Sequence, residues 1–315
     1  MSSPVLFIVI PCYNEEEALP ITAKRLVELT DDMIGKSIID PASRIMLVDD
    51  GSRDGPWQVI AALHEGDARF EGVKLAHNAG HMNALWAGMT VSADRCDCVI
   101  TIDADLQDDV NAMYGFLEAF RNGADVVSGV RSSREKDTFF KRTTAQAFYR
   151  LMARLGVEMV YNHADYRLLS KRALEALLSF GEVNMFLRGM VPMLGFRTAE
   201  VTYARGERVA GESKYPLKKM IAFAMEGITS LSNKPIRYVL LLGALCALLG
   251  VVMAVYVLVS LFGGHSVQGW ASLMMSLWLL GGLQLMALGL IGEYVGKIYM
   301  ETKRRPKFIL EEHLK

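Results

Sequence analysis

Asp103 and Asp105 stand one residue apart, directly after the apolar run Cys98 to Ile102. Carboxylates at that spacing on a strand end suit a hard divalent cation that draws its remaining oxygens from a diphosphate. Such a cation offsets the negative charge that builds on a departing nucleoside diphosphate. The D-x-D pattern alone is common in surface loops, so its placement decides its meaning. Here Leu106-Gln107-Asp108 continue it, and two further polar clusters, Cys12-Tyr13-Asn14-Glu15 and Asp49-Asp50-Gly51-Ser52, also follow short apolar runs. One acidic cluster after a strand is ordinary loop solvation; three, after the first, second and fourth such runs, make a site.

The elements that must position these clusters can be read from periodicity. Residues 1 to about 130 alternate short β-branched runs with helical periods, which predicts a parallel sheet wrapped by helices. Expected strands cover Val5 to Pro11, Arg44 to Val48, Val73 to Ala76, Cys98 to Ile102 and Asp125 to Gly129. Expected helices cover Glu16 to Leu29, Pro56 to His64, Met82 to Ala93 and Val110 to Arg121. In such sheets ligands bind beyond the carboxyl ends of the strands, where all three clusters fall. From about 131 to 190 the chain turns basic and is expected to be helical. Residues 216–233 mix Lys218, Lys219 and Glu226 with Met220, Ile221, Phe223, Met225 and Ile228, the pattern of a helix lying on a membrane surface.

Two uncharged apolar runs follow, Tyr238 to Phe262 and Val267 to Gly292, each long enough to cross a bilayer core of about 30 Å. They are apolar on every face, unlike a soluble helix with its polar stripe. Lys234 and Arg237 precede them, Lys297, Lys303, Arg304, Arg305 and Lys307 follow, and the Gly263-Gly264-His265-Ser266 linker carries no Lys or Arg. The positive-inside rule then predicts a cytoplasmic membrane protein with head and tail both cytoplasmic. The expected organisation is a head over 1–215, the surface helix over 216–233, a two-helix anchor over 234–298 and a basic tail over 299–315. Trp270 suits an interfacial anchor or plain lipid-facing packing equally well. The N-terminus shows no signal peptide, its apolar stretch being too short. Four cysteines without zinc spacing point to a reduced compartment. A net charge of -1 and the lack of basic runs interleaved with aromatics speak against a nucleic-acid partner. No G-x-G-x-x-G turn follows the first strand, which excludes an NAD-linked dehydrogenase.

Val9-Ile10-Pro11-Cys12-Tyr13-Asn14-Glu15-Glu16, Val48-Asp49-Asp50-Gly51-Ser52-Arg53-Asp54-Gly55 and Asp103-Ala104-Asp105-Leu106-Gln107-Asp108 together resemble the family 2 glycosyltransferases of the GT-A fold. The later segments Ala164-Asp165-Tyr166-Arg167-Leu168-Leu169-Ser170 and Gly211-Glu212-Ser213-Lys214-Tyr215, followed by two apolar runs, resemble the polyprenyl-phosphate branch, which includes bactoprenol glucosyltransferases and dolichyl-phosphate mannose synthases. The resemblance covers nearly the whole chain. It implies a Rossmann-like mixed α/β sheet with a C-terminal membrane hairpin. It also implies a nucleoside pocket lined by Pro11, Tyr13, Glu15 and Asp50, with Asp49, Asp103 and Gln107 completing nucleotide-sugar binding. Asp103 and Asp105 would hold Mg²⁺ or Mn²⁺. Asp105, Asp165 and Arg167 form the expected catalytic set, Asp165 orienting the sugar or serving as an auxiliary base. Asn162-His163-Ala164 departs from the family's usual Asp, Ser or Thr and Gly, which bears on which sugar hydroxyls are read.

Two bland alternatives stand beside these assignments. Asp49, Asp50 and Ser52 also suit a turn that caps the following helix, and Asp165 also suits a buried pair with Arg167 or another Arg. Asn78-Ala79-Gly80-His81 begins a helix whose free N–H groups could face the diphosphate or nucleoside, and His81, as a polar helix-start residue, stays outside the catalytic set. A lipid phosphate acceptor is already anionic, so it needs positive charge and orientation more than a general base. Arg131, Arg142, Arg205, Arg208 and Lys214 are the expected phosphate contacts, since guanidinium groups grip phosphate at two points. The implied reaction passes a sugar, UDP-linked, to undecaprenyl or a similar polyprenyl phosphate with inversion. Related enzymes suggest a homo-oligomer and a lipid-flipping partner. The rival readings are transfer to another membrane lipid such as diacylglycerol, and a nucleotide-sugar sensor without turnover.

Overall fold

The computed structural model describes residues 3–132, 163–183, 186–204, 229, 232, 234–262 and 269–315. They fall into two compact units, one built on a sheet and the other on two long helices.

The sheet unit begins with β1 (Leu6–Cys12), α1 (Leu19–Gly35), β2 (Arg44–Asp49), α2 (Pro56–Gly66), β3 (Phe70–Leu75), α3 (His81–Ser92) and β4 (Cys98–Thr101). It continues with α4 (Ala112–Arg121), β5 (Val126–Arg131), β6 (His163–Ser170), α5 (Lys171–Leu178), α6 (Leu187–Met193), β7 (Thr198–Tyr203) and β8 (Leu310–Leu314). The strand order is β7-β5-β6-β4-β1-β2-β3-β8. Strands β1 to β4 run parallel, whereas β6 is antiparallel to both β4 and β5 and β8 is antiparallel to β3. This is the mixed α/β sheet expected of a GT-A-like fold.

Alternation along β1 shows why the sheet takes helices on both faces. Leu6, Ile8, Ile10 and Cys12 join one buried cluster with Leu19 and Leu26 of α1, Ile60 of α2 and Phe116 of α4. Phe7 and Val9 join the other, with Ala84 and Leu85 of α3, Leu174 of α5 and Met190 of α6. Successive side chains of a strand point to opposite faces, so a run without polar gaps must be covered twice. Burying each such side chain contributes roughly 1.5–3 kcal/mol. Gly88 lets α3 press close, since a Cβ there would meet Val9 Cγ1 at 2.4 Å.

Three differences from expectation have local causes. The strand expected from Val73 begins at Phe70, because Glu71 is buried and neutralised by Arg95 at 2.8 and 2.5 Å. The segment expected to be helical contains β6, whose Tyr166, Leu168 and Leu169 are fully buried in the sheet. The tail expected over 299–315 instead supplies β8: Glu312 accepts from Trp57 Nε1 at 3.1 Å and Glu311 pairs with Lys74 at 2.9 Å. Arg305–Lys315 belongs to the sheet unit.

The second unit contains α7 (Lys234–Phe262) and α8 (Trp270–Lys303), of 29 and 34 residues. Leu240, Leu241, Leu248, Leu249, Val252 and Val255 of α7 and Leu285, Met286 and Leu288 of α8 are exposed. Tyr294 Oη donates to the Ser232 carbonyl at 2.6 Å. Among the described residues no helix is long and apolar enough to cross a membrane, and several side-chain positions within both helices lie outside that set, Trp270 included. The surface helix expected over 216–233 falls almost wholly outside the described residues.

Candidate active site

The parallel pair β1 and β2 brings the first two clusters together, with Cys12 in register with Asp49. Their loops are stitched reciprocally: Asn14 N–H donates to Ser52 Oγ at 3.1 Å, Arg53 N–H to Asn14 Oδ1 at 3.0 Å, and Gly55 N–H to Glu16 Oε2 at 2.9 Å. Asn14 takes φ 55° to allow this, a conformation Asn tolerates better than most residues. Pro11 is buried at the strand end, Glu15 is half-buried and Tyr13 is 41% exposed. Tyr13 thus offers a ring face beside the loops, suited to stacking on a base.

Asp49 and Asp50 are both buried and both shape backbone. Asp49 Oδ1 accepts from Ser52 N–H at 3.0 Å, the turn foreseen as an alternative. Asp50 accepts from Ala79 N–H at 2.7 Å and Gly80 N–H at 3.0 Å, fixing the entry to α3 rather than capping the helix after Asp54. Burial raises the Asp50 pKa against the opposing pull of those two amides. Between them Gly51, at φ 62°, passes so close to the His77–Asn78 backbone that a Cβ would sit 2.5 Å from Asn78 N. Only glycine fits that crossing.

Beyond β4, the loop from Asp103 turns sharply. Gln107 N–H donates to Asp105 Oδ1 at 3.1 Å, and Leu106 is held at φ 51°. A leucine in the left-handed region costs on the order of 1–2 kcal/mol, strain of the kind found at functional loops. Gln107 is buried. Asp108 is buried too, and binds Arg131 Nε at 3.0 Å and Tyr203 Oη at 2.7 Å. Arg131, expected at the lipid phosphate, is therefore held by a carboxylate, with its side chain 29% exposed.

Antiparallel pairing of β4 with β6, Thr101 opposite Arg167, carries the start of β6 past the end of β4. Thr101 Oγ1 donates to the Asp165 carbonyl at 2.6 Å. Asp165 meets three cationic or polar partners: Arg188 (Nη2 to Oδ2 2.9 Å, Nε to Oδ1 3.2 Å), Arg167 (Nη2 to Oδ1 3.0 Å) and His81 Nε2 at 3.8 Å. The same His81 Nε2 lies 3.6 Å from Asp103 Oδ1. Burial alone would raise the Asp165 pKa, but Arg188 and Arg167 hold it down at about 2. Asp103 goes the other way: burial raises it, and Asp165, Asp105 and Asp108 add to the rise against His81. A carboxyl whose ionisation is opposed by three neighbouring carboxylates favours an added cation. The oxygen donors suit a hard divalent cation, although no group of three or more His, Cys, Asp or Glu placed to hold a metal ion by itself occurs among the described residues.

Asp103, Asp105, Gln107 and Asp165 thus gather where the end of β4 meets the start of β6, in the middle of the sheet. Arg167 is almost fully buried and also donates to the Leu187 carbonyl at 3.3 Å, a brace between β6 and α6. Its expected catalytic place becomes a positioning one, and Asp165, its two oxygens engaged by guanidiniums, is unsuited to accept a proton near neutrality. Arg142, Arg205, Arg208 and Lys214 lie outside the described residues. Sequence reasoning missed Arg188 and set His81 aside. Position after Gly80 was the only signal for His81, and nothing local marked Arg188.

A mixed sheet with an acidic loop beyond its central strands is the architecture of a GT-A-like fold. The chain belongs to the family 2 glycosyltransferases: residues 7–178 match the Glycosyl transferase family 2 model. It is 52% identical to the uncharacterized glycosyltransferase YkoT of Bacillus subtilis strain 168, over 98% of this chain and 92% of that one. It is 36% identical to the bactoprenol glucosyl transferase of Shigella phage SfV, over 96% of this chain and 97% of the other. A solved mannosyl-3-phosphoglycerate synthase from Rubrobacter xylanophilus, 17% identical, superposes with a TM-score of 0.48 over 71% of each chain.

Proposed function

We propose that this glycosyltransferase passes a sugar from a UDP-linked donor to undecaprenyl or a similar polyprenyl phosphate, at the cytoplasmic face of a membrane. The observation that carries the reading is the end-to-end match to bactoprenol glucosyl transferases, which spans both units rather than the sheet alone. A phosphate oxygen of the acceptor forms the new bond to the anomeric carbon while the bond to UDP breaks, its electron pair leaving with the diphosphate. The attacking oxygen is already ionised, so no base is required. That agrees with an Asp165 held as a carboxylate by two arginines.

Tyr13 and the Asp49–Gly51 turn would receive the nucleoside, and Asp103 and Asp105 would hold a divalent cation. When bound, that ion supplies charge stabilisation to the leaving diphosphate. His81 and Asp165 border the space between donor and acceptor, where water is least welcome. Attack opposite the leaving group inverts the anomeric centre.

Membrane anchoring by α7 and α8 is part of the same proposal. At about 1.5 Å per residue even the shorter helix exceeds about 40 Å, and its exposed Leu and Val side chains suit lipid. The chain departs from the sheet unit before α7 and returns to it with β8 after α8, which favours an even number of crossings with both flanking segments on one side; the flanking Lys and Arg residues favour the cytoplasm for that side. A carrier-linked sugar made there would need a flipping partner before use outside.

Membranes carrying the protein, incubated with radiolabelled UDP- and GDP-sugars, should label polyprenyl phosphate, and Asp105→Ala should abolish the label. Label entering diacylglycerol and never polyprenyl phosphate would overturn this reading.

A further inference from the structure

We infer that Arg188 is a contact for the acceptor's phosphate group, with Asp165 serving as the anchor that aims it. The inference rests on the proposed transfer to a lipid phosphate and adds a residue that lies outside the D-x-D loop and was not among the expected phosphate contacts.

Asp165 is buried, and the two guanidiniums on it differ in access. Arg167 is enclosed by β6 and α6, whereas the Arg188 side chain is 31% exposed while gripping both carboxylate oxygens. A two-point grip fixes the plane of the guanidinium, so a phosphate meets a donor array already oriented. The helix carrying it is equally fixed: Leu187 and Met190 on either side of Arg188 are buried in the core beneath the sheet.

Contact order says which phosphate. His81 Nε2 lies 3.6 Å from Asp103 Oδ1 and 3.8 Å from Asp165 Oδ2, the oxygen that Arg188 Nη2 holds at 2.9 Å. The donor diphosphate belongs with Asp103 and Asp105. In a single displacement the nucleophile arrives on the face away from the leaving group, so the guanidinium held by Asp165 is assigned to the incoming phosphate and the D-x-D loop to the departing one. Arg131 repeats the arrangement, a partly exposed guanidinium held by the buried Asp108.

The test uses the full-length protein in lipid nanodiscs, with initial rates measured against polyprenyl phosphate and against UDP-sugar separately. Arg188→Lys keeps the charge and loses the fork; it should raise the KM for polyprenyl phosphate about tenfold or more while the donor KM stays within about twofold. Arg188→Ala should weaken acceptor use further, and inorganic phosphate should compete with polyprenyl phosphate in the wild type more strongly than in either variant. UDP binding, read by calorimetry, should persist in Arg188→Lys and report an intact fold. A raised donor KM with an unchanged acceptor KM, or no kinetic change at all, overturns the inference while leaving the proposed function in place. A wild type that never uses polyprenyl phosphate overturns both.

Discussion

Asp103 and Asp165 are the same residue type at neighbouring strand ends, and their surroundings treat them in opposite ways. Asp103 meets burial and three other carboxylates, and His81 is the neighbour among the described residues that favours its charge. Asp165, more deeply buried, meets two guanidiniums that keep it ionised down to about pH 2. The contrast divides the site into a half that favours an added cation and a half that carries its own. The proposed reaction brings two anionic substrates together here, and a pocket of either kind alone would reject one of them.

The contrast makes its largest prediction for Asp103→Asn. Turnover should fall about 10²–10³-fold, the scale of losing one electrostatic contribution to a leaving group, while the melting temperature holds or rises because an opposed carboxylate is gone. Steady-state rates and thermal melts of the same preparation check it. A melting loss as large as that of Asp165→Asn would break the division.

Asp165→Asn should destabilise by about 3–5 kcal/mol, the usual cost of stranding a buried partner, here Arg167. Urea unfolding followed by Trp fluorescence reads it. Its pH dependence sharpens the point. Since the folded pKa lies below the ordinary value of about 3.9, the stabilisation is complete above that value and disappears as pH falls through about 2. The wild type should lose more stability than Asp165→Asn between roughly pH 4 and pH 2; parallel curves would show that the arginines do not hold Asp165 as described. The smallest effect belongs to Glu312→Gln, remote from both carboxylates, which should cost under about 1 kcal/mol and leave both KM values alone.

The first half of the sheet was legible because its strands are apolar on both faces and its helices keep their period. β1, β2 and β4 lie within a residue or so of expectation. The D-x-D loop was legible for the same reason, since a strand end locates it. Glu71 and β8 were not, because their carboxylates are partnered by residues distant in sequence, Arg95 for one and Trp57 and Lys74 for the other. Arg188 was hidden for a related reason. Its partner lies 23 residues away, and only the antiparallel return of β6 brings the two together.

Strand β8 closes an edge that β3 would otherwise present to any passing chain. It is synthesised after α7 and α8, so a nascent chain carries its sheet with that border open for as long as the long helices are being made. Completion of the enzyme is thereby tied to the ribosome having passed the helical pair, and a message cut short between them would yield a protein with an adhesive margin.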